Sequence, residues 1–292
     1  MIKTKRYKLE LIANTLRQDV ISMLAHAGSG HSAGPLGLAD FFSVLYFHIL
    51  RHKPKEPLWE KRDRFILSCG HVCPILYVTL ARSKYFSLKT LHSLRTLGSP
   101  LQGHPHRGSA RGIETTSGPL GQGFSVAVGM AIAARMDKTS HRIYCLTSDG
   151  EQNEGQVWEA AMFAGVKGLA NLTLFIDRNN IQIDGTTDAV MPLEPLADKY
   201  RSFGWHVIDC DGHDMDAIDD ACAEAKKKRL KPTVIILHTT PGKGVRFMEH
   251  NYIWHGIPPT QEQARQALLE LKEARKKLSG KSLATKLLSY VS

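Results

Sequence analysis

The sequence predicts a three-layer α/β domain, αβα, with a mostly parallel sheet between two layers of helices. One observation is the alternation of elements. Short apolar runs recur at Phe65-Ile66-Leu67, Ile143–Thr147, Leu172–Ile176, Trp205–Cys210 and Thr233–Thr239, with helix-like stretches between them. Strands that alternate with helices build βαβ units, and these make parallel sheets covered on both faces. The other observation is where the marked polar residues fall. His71 follows the first run, Asp149 the second and Asn179 the third. In a doubly wound sheet ligands sit outside the carboxyl ends of the strands, so these loops are expected to converge.

The elements follow in order. Residues 4–26 set Leu9, Ile12, Leu16, Val20, Met23 and Leu24 at helical spacing. Gly28, Gly30 and Gly34 mark the loop 27–35, and residues 36–50 read as a mostly buried helix. After the first strand and Ser68-Cys69-Gly70-His71, Pro74 suits the first turn of a helix. Residues 98–123, GSPLQGHPHRGSARGIETTSGPLGQG, form a loop longer than ordinary connections, and such loops are commonly functional. It opens into a helix of small residues, Ser125 to Ala134. Helices at 154–167, 194–203 and 214–229 separate the later strands. Residues 260–289 read as helices that cap the domain or reach a neighbour. The expected division is a domain over 1–260 and a helical cap over 261–292.

Composition narrows the function classes. With 42% hydrophobic and 23% charged residues, the 292-residue chain has the make-up of a soluble globular protein with a sizeable core. No apolar run approaches the ~20 residues of a membrane span. The basic start, MIKTKRYKLE, runs into an amphipathic pattern rather than a signal core, so no membrane attachment and a cytoplasmic location are expected. Cys69 and Cys73 are close together, but Cys145, Cys210 and Cys222 supply no second pair. All five read as buried thiols of a reducing compartment. The net charge of +10 raises the question of nucleic acid. The positive residues fall in runs at 3–8, 51–55, 226–231 and 272–281; the last two lie on helix-like segments with interleaved Ala and Leu, which read as solvated helix faces, and no nucleic-acid motif accompanies them. Nucleic-acid binding is therefore not expected, and anionic substrates such as sugar phosphates account for the excess equally well.

The stretch SDGEQNEGQVWEAAMFAGVKGLANLTLFIDRNNIQIDG, residues 148–185, carries the sharpest chemistry. Asp149-Gly150 ends one strand and Asn179-Asn180 ends the next. The pair offers a hard anionic oxygen beside a neutral carbonyl oxygen. Mg²⁺ prefers such oxygen ligands, takes few of them from protein, and completes its shell with phosphate oxygens. Gly150 lets backbone N–H groups approach a phosphate, and a helix beginning near Glu154 aims its N-terminus at the anion. Taken singly, each pair reads more readily as an ordinary turn. At equivalent ends of neighbouring strands, the turn and the metal–diphosphate readings stand level.

This segment resembles the thiamine diphosphate motif, which opens on Asp-Gly and closes on an Asn about 30 residues later. Most of residues 10–260 is similar to the N-terminal, diphosphate-binding part of transketolase. The matching pieces are SGHSAGPLGLAD (29–40), LSCGH (67–71), GHP (103–105), TTSGPLGQG (115–123), SDGEQNEG (148–155) and NNIQIDG (179–185), with FMEHNYIWHG (247–256) a looser match. The resemblance implies thiamine diphosphate with Mg²⁺ or Ca²⁺. The metal would be held by the side chains of Asp149 and Asn179 and the backbone carbonyl of Ile181. Gly150 would touch the diphosphate, Gly118 and Leu120 would lie against the aminopyrimidine, and Glu154 would stand at a subunit interface near the cofactor. Four histidines are implied in the active site. His31 and His104 would contact donor-sugar oxygens; His71 and His255 would lie near the diphosphate and the reacting centre. Imidazole suits proton movement near neutral pH. His250 competes with His255 for its place, whereas His106, His213 and His238 read as ordinary histidines. Two positions depart from the family pattern: Ser148 stands where glycine is usual, and Cys69 where Asn or Lys is usual.

In full-length transketolase, the glutamate that activates the cofactor comes from a second α/β domain. About 50 residues follow the last expected strand here, too few for another domain of ~100 residues or more. The resemblance therefore implies the N-terminal subunit of a split transketolase, or else a truncated chain. A separate C-terminal subunit would supply the glutamate, two copies of each chain would assemble, and sugar phosphates would be the substrates. The competing readings are the α subunit of a 2-oxo acid dehydrogenase and a non-catalytic paralogue. GHSAGPLG and GPLGQG favour transketolase over the first, and Asp149, Asn179 and the four histidines disfavour the second.

Overall fold

The computed structural model describes residues 1–288. Its centre is a five-stranded sheet of Arg64–Leu67 (β1), Ile143–Ser148 (β2), Leu172–Arg178 (β3), His206–Asp211 (β6) and Thr233–His238 (β7). All its pairings are parallel, in the order β1-β2-β3-β7-β6. Between β3 and β6 lies a small antiparallel hairpin, Ile181–Gln182 (β4) and Gly185–Thr186 (β5).

The sheet is covered on both faces, so its central strands are apolar throughout rather than alternating. β2 and β3 are buried at every position. The pleat sends Ile143 and Cys145 to one face, where they meet Gln122–Met136 (α5), Gly155–Val166 (α6) and Leu196–Ser202 (α8). Tyr144 and Leu146 go to the other face, against Lys3–Ala27 (α1), Ala39–Val44 (α3), Cys73–Arg82 (α4) and Met215–Lys227 (α9). Thr187–Val190 (α7) follows the hairpin, and Gln261–Leu288 (α10) is the last helix. Asn14 Nδ2 donates to the Leu271 carbonyl at 3.0 Å and Arg275 Nη1 to Thr15 Oγ1 at 2.7 Å, which ties α10 along α1. The stretch expected as helices over 260–289 is thus one helix, Gln261–Leu288, as far as it is described, and the last four residues of the expected cap lie outside the described residues.

The expected helix over 36–50 is broken. Ala33–Gly37 (α2) precedes α3, and Leu45–Ile49 closes as a wider π turn. Arg17 Nε donates to the Leu36 carbonyl at 3.1 Å, taking the acceptor that the Asp40 N–H would use in a continuous ladder. At the other end of the fold's chemistry, α5 begins on the end of β1. Ser68 Oγ accepts the Phe124 N–H at 3.0 Å, and a Cβ on Gly123 would stand 2.6 Å from Ser68 Cα. Only glycine permits that approach.

Among the described residues, no helix is long and apolar enough to cross a membrane. The five cysteines are buried and unbridged.

Candidate functional site

The parallel register sets Ser148 opposite Asp177, which brings the turn after β2 beside the turn after β3. Asp149 is fully buried. Its Oδ1 accepts the Gly150 N–H at 2.7 Å, and its Oδ2 accepts the Asn180 N–H at 2.7 Å and Arg178 Nη1 at 3.3 Å. Asn179 is nearly buried; Nδ2 donates to Asp177 at 2.8 Å and Oδ1 accepts the Ile181 N–H at 3.0 Å. Burial pushes the Asp149 carboxyl up to about 6, against the two N–H donors and the Arg178 guanidinium. Burial likewise raises Asp177 to about 7, opposed by its bonds from Thr239 and Asn179.

These groups suit a divalent cation. Asp149 Oδ1 and Asn179 Oδ1 each accept one protein N–H and keep a lone pair. A cation there would offset the desolvation that now strains the Asp149 carboxylate. The donors are hard oxygens, as Mg²⁺ or Ca²⁺ requires. Among the described residues no cluster of three or more His, Cys, Asp or Glu could hold a metal; a cation here would draw on amide and backbone carbonyl oxygens, water or phosphate beside the Asp149 carboxylate.

Three of the four expected histidines form one cluster. The ring of His31 lies 5.1 Å from His71 and 5.6 Å from His255, and His71 lies 5.2 Å from His255, centre to centre. His250 is exposed, on a left-handed residue. His104 reaches the same region by another route: a Cβ on Gly118 would stand 3.8 Å from its side chain. Cys73 Sγ and Tyr77 OH hold the His104 loop by its Gly103 and Gln102 carbonyls, at 3.2 and 2.8 Å. Burial and the charges of His255, Arg95 and His104 lower His31 to about 4. His71 falls well below the ordinary range through burial and its histidine neighbours, His255 falls through burial, and His104 through burial and Arg95. The cluster is neutral at pH 7, and His31 Nδ1 is buried without a partner.

The loop with Gly118 and Leu120 is bound to this floor by a residue that motif reading passed over. Glu151 is fully buried, and its carboxylate accepts Ser68 Oγ at 2.5 Å, the Gly121 N–H at 2.6 Å and the Ser148 N–H at 3.1 Å. Burial pushes its carboxyl up to about 7, opposed first by the Ser68 bond. One side chain thus joins the ends of β1 and β2 to the start of α5. Arg178 is the second omission: it spans from Asp149 to Thr187 Oγ1 at 2.8 Å and Glu194 at 3.2 Å. A polar residue inside the motif was the only sequence signal for either.

The helix expected to begin near Glu154 starts at Gly155, after a 3₁₀ turn over Gly150–Asn153. The backbone N–H groups on the carboxylate are therefore those of Gly150 and Asn180 rather than of the helix's first turn, and Glu154 stands exposed. Ser148 fits its unusual position: its hydroxyl accepts the Glu151 N–H at 3.3 Å, closing the turn. Cys69 is buried in the core with Sγ 3.7 Å from the Leu146 carbonyl, a place for a small, weakly polar side chain. His213 donates Nδ1 to Asp40 and accepts the Thr240 N–H, both bonds made within the core packing.

Fold and residue pattern together define a class: an αβα domain of the thiamine diphosphate-binding type, with its polar loops gathered at the carboxyl ends of the strands. The chain belongs to the transketolase family, since residues 9–276 match the family described as transketolase, thiamine diphosphate binding domain. It is 44% identical over 261 residues to a 6-deoxy-6-sulfo-D-fructose transketolase subunit of Clostridium sp. (strain MSTE9), covering 89% of this chain and 95% of that one. It is 42% identical over 270 residues to an apulose-4-phosphate transketolase subunit of Phocaeicola vulgatus, covering 92% and 96%. Among solved structures, transketolase of Campylobacter jejuni superposes with a TM-score of 0.83 at 35% identity, over 99% of this chain and 50% of that one. The chain therefore spans nearly the full length of two relatives named as subunits, and about half of that transketolase.

Proposed function

We propose that this chain is the diphosphate-binding subunit of a two-subunit transketolase, moving a two-carbon ketol unit from a ketose phosphate to an aldose phosphate. The observation that carries the reading is the buried Asp149 carboxylate beside the Asn179 amide, at the ends of adjacent strands in a transketolase family member. Asp149, Asn179 and the Ile181 carbonyl hold Mg²⁺ or Ca²⁺, and Gly150 meets the diphosphate. Gly118 and Leu120 receive the pyrimidine, in a loop fixed by Glu151. Thiamine diphosphate, when bound, supplies the electron sink for C–C cleavage.

The chain's own contribution is proton handling and orientation. The lowered basicity of His31 and His71 keeps their imidazoles neutral at working pH, each with one ring nitrogen able to accept and one able to donate. His31 and His104 orient sugar oxygens, while His71 and His255 border the reacting centre. Arg95, bonded to Ser29 Oγ at 3.0 Å, lies between the loops that carry His31 and His104 and supplies positive charge to an anionic sugar.

The partner is a separate C-terminal transketolase subunit that brings the activating glutamate. Support comes from the two relatives of matching length that are named as subunits. Self-association to two copies of each chain is supported by α5 and α6, which expose Val126, Met136, Met162, Phe163 and Val166. Glu154 lies at that contact. We place the enzyme in the cytoplasm and in carbohydrate metabolism of the pentose phosphate kind, with residues 1–260 as the cofactor domain and 261–292 as its cap.

The test is reconstitution. The chain, mixed with the companion subunit from its own genome, should transfer a ketol unit from xylulose 5-phosphate to ribose 5-phosphate only when thiamine diphosphate and Mg²⁺ are present. Full transfer by the isolated chain would refute the two-subunit reading. Metal-independent transfer would refute the site.

A further inference from the structure

The amino ends of the strands carry a second feature, about one strand length, roughly 17 Å, from the cofactor end. The turns entering β2 and β3 and the segment after α9 enclose an open cleft of about 440 Å³. Arg135, Lys138, His141, Arg142, Lys228 and Arg229 line it, and no carboxylate does.

Part of this charge has an ordinary explanation. α5, α6 and α9 all end here, and basic side chains complement the partial negative charge of helix C-termini. Arg135 Nη1 takes the Lys167 carbonyl at 2.6 Å, Arg142 Nη2 takes the Ala170 carbonyl at 3.0 Å, and Lys228 pairs with Glu224 at 3.2 Å. The helix ends leave the rest over. Lys138 and Arg229 are exposed and form no ion pair among the described residues. Arg142 Nε and His141 Nδ1 are buried and have no hydrogen-bond partner. A buried donor left unpaired costs about 1–3 kcal/mol, so Arg142 Nε, whose one polar neighbour on the core side is the Tyr144 hydroxyl, gains from an acceptor, and His141 gains in the tautomer protonated at Nδ1.

We propose that this cleft binds a small, multiply charged phosphate anion, a polyphosphate or the phosphate end of a phosphate ester. Arg142 and His141 would meet it on the floor, and Lys138 and Arg229 from the rim. Arginine forks match phosphate oxygens, and the volume exceeds that of a single orthophosphate. The site is separate from the one that holds the diphosphate, since it lies at the opposite edge of the same strands.

Tripolyphosphate titrated calorimetrically into the metal-free chain tests this. One-site binding is expected, weakening as salt rises. The exposed pair Lys138→Ala/Arg229→Ala should lower the affinity at least tenfold. The proposal is overturned by an absence of saturable binding or by unchanged affinity in the double variant, which would assign the anion to the cofactor end.

Discussion

The backbone N–H of Asn180 donates to Asp149 Oδ2 at 2.7 Å, so the turn that ends β3 holds the carboxylate that ends β2. Asn180 makes this bond from a left-handed conformation, φ 65°, which asparagine tolerates better than most residues. The carboxylate is thus oriented by backbone before any ligand arrives, and Asn179 presents its amide from the same turn.

Asp149→Asn should therefore keep the shape of the turn and remove its charge. Thiamine diphosphate binding in the presence of Mg²⁺ is expected to weaken at least a hundredfold by calorimetry, about 3 kcal/mol. The melting temperature of the ligand-free chain should move by only a few degrees. Unchanged cofactor affinity would refute the proposed metal-ligand role of Asp149.

His31 makes the ligand-free chain sensitive to acid. Its pKa falls from 6.5 to about 4, chiefly through burial and then through the charges of His255, Arg95 and His104. Between those values the unfolded chain binds a proton that the folded chain refuses. Stability is thus expected to fall as pH drops from 6.5 to 4, with no further loss from this group below 4. The full effect is about 3 kcal/mol. Urea unfolding at pH 7 and pH 5 should differ by about 2 kcal/mol less in His31→Gln than in the parent chain. Identical differences would mean that His31 titrates normally.

Alternation of apolar runs predicts all five sheet strands: β2, β3 and β7 are buried along nearly their whole length and read as continuous hydrophobic runs, while the edge strand β6, with Cys210 its one buried residue, is marked by Val207 and Ile208 between two helical stretches. The break at 36–50 was not legible, since it depends on Arg17 reaching the Leu36 carbonyl from another helix. Nor was the β4–β5 hairpin, whose two-residue strands are too short for any period. In the site, the glycine loops drew attention to His31, His71 and His104. Sequence could not choose between His250 and His255, because they share one loop and only tertiary packing sets His255 5.2 Å from His71. Glu151 was passed over for the same reason: its three donors come from Ser68, Gly121 and Ser148, and two of them are far from it in sequence.

Glu151→Ala would leave those three donors facing a void. Unpaired buried donors and the lost side chain should cost about 2–4 kcal/mol. Thermal unfolding should fall by about 5–10 °C. Hydrogen exchange should accelerate over residues 116–124, the loop expected to receive the pyrimidine. A melting temperature within about 2 °C of the parent, with unaltered exchange, would show that the loop is held by something else.

The exposed faces of α5 and α6 lead to a test of assembly. Val126 and Met136 lie on one, Met162, Phe163 and Val166 on the other, and these side chains are between 42% and 78% exposed. Adjacent apolar faces of this kind mark sites of protein association. Val126→Glu/Phe163→Glu places two carboxylates on them without touching the buried core, so the fold should survive with an unchanged circular dichroism spectrum. Sedimentation velocity of the chain with its companion should then show a species of about half the parent's mass. Because Glu154 and the loop at Gly121 adjoin α6, cofactor affinity should fall in the same variant. An assembly of unchanged mass would assign the contact to another surface and separate self-association from these helices.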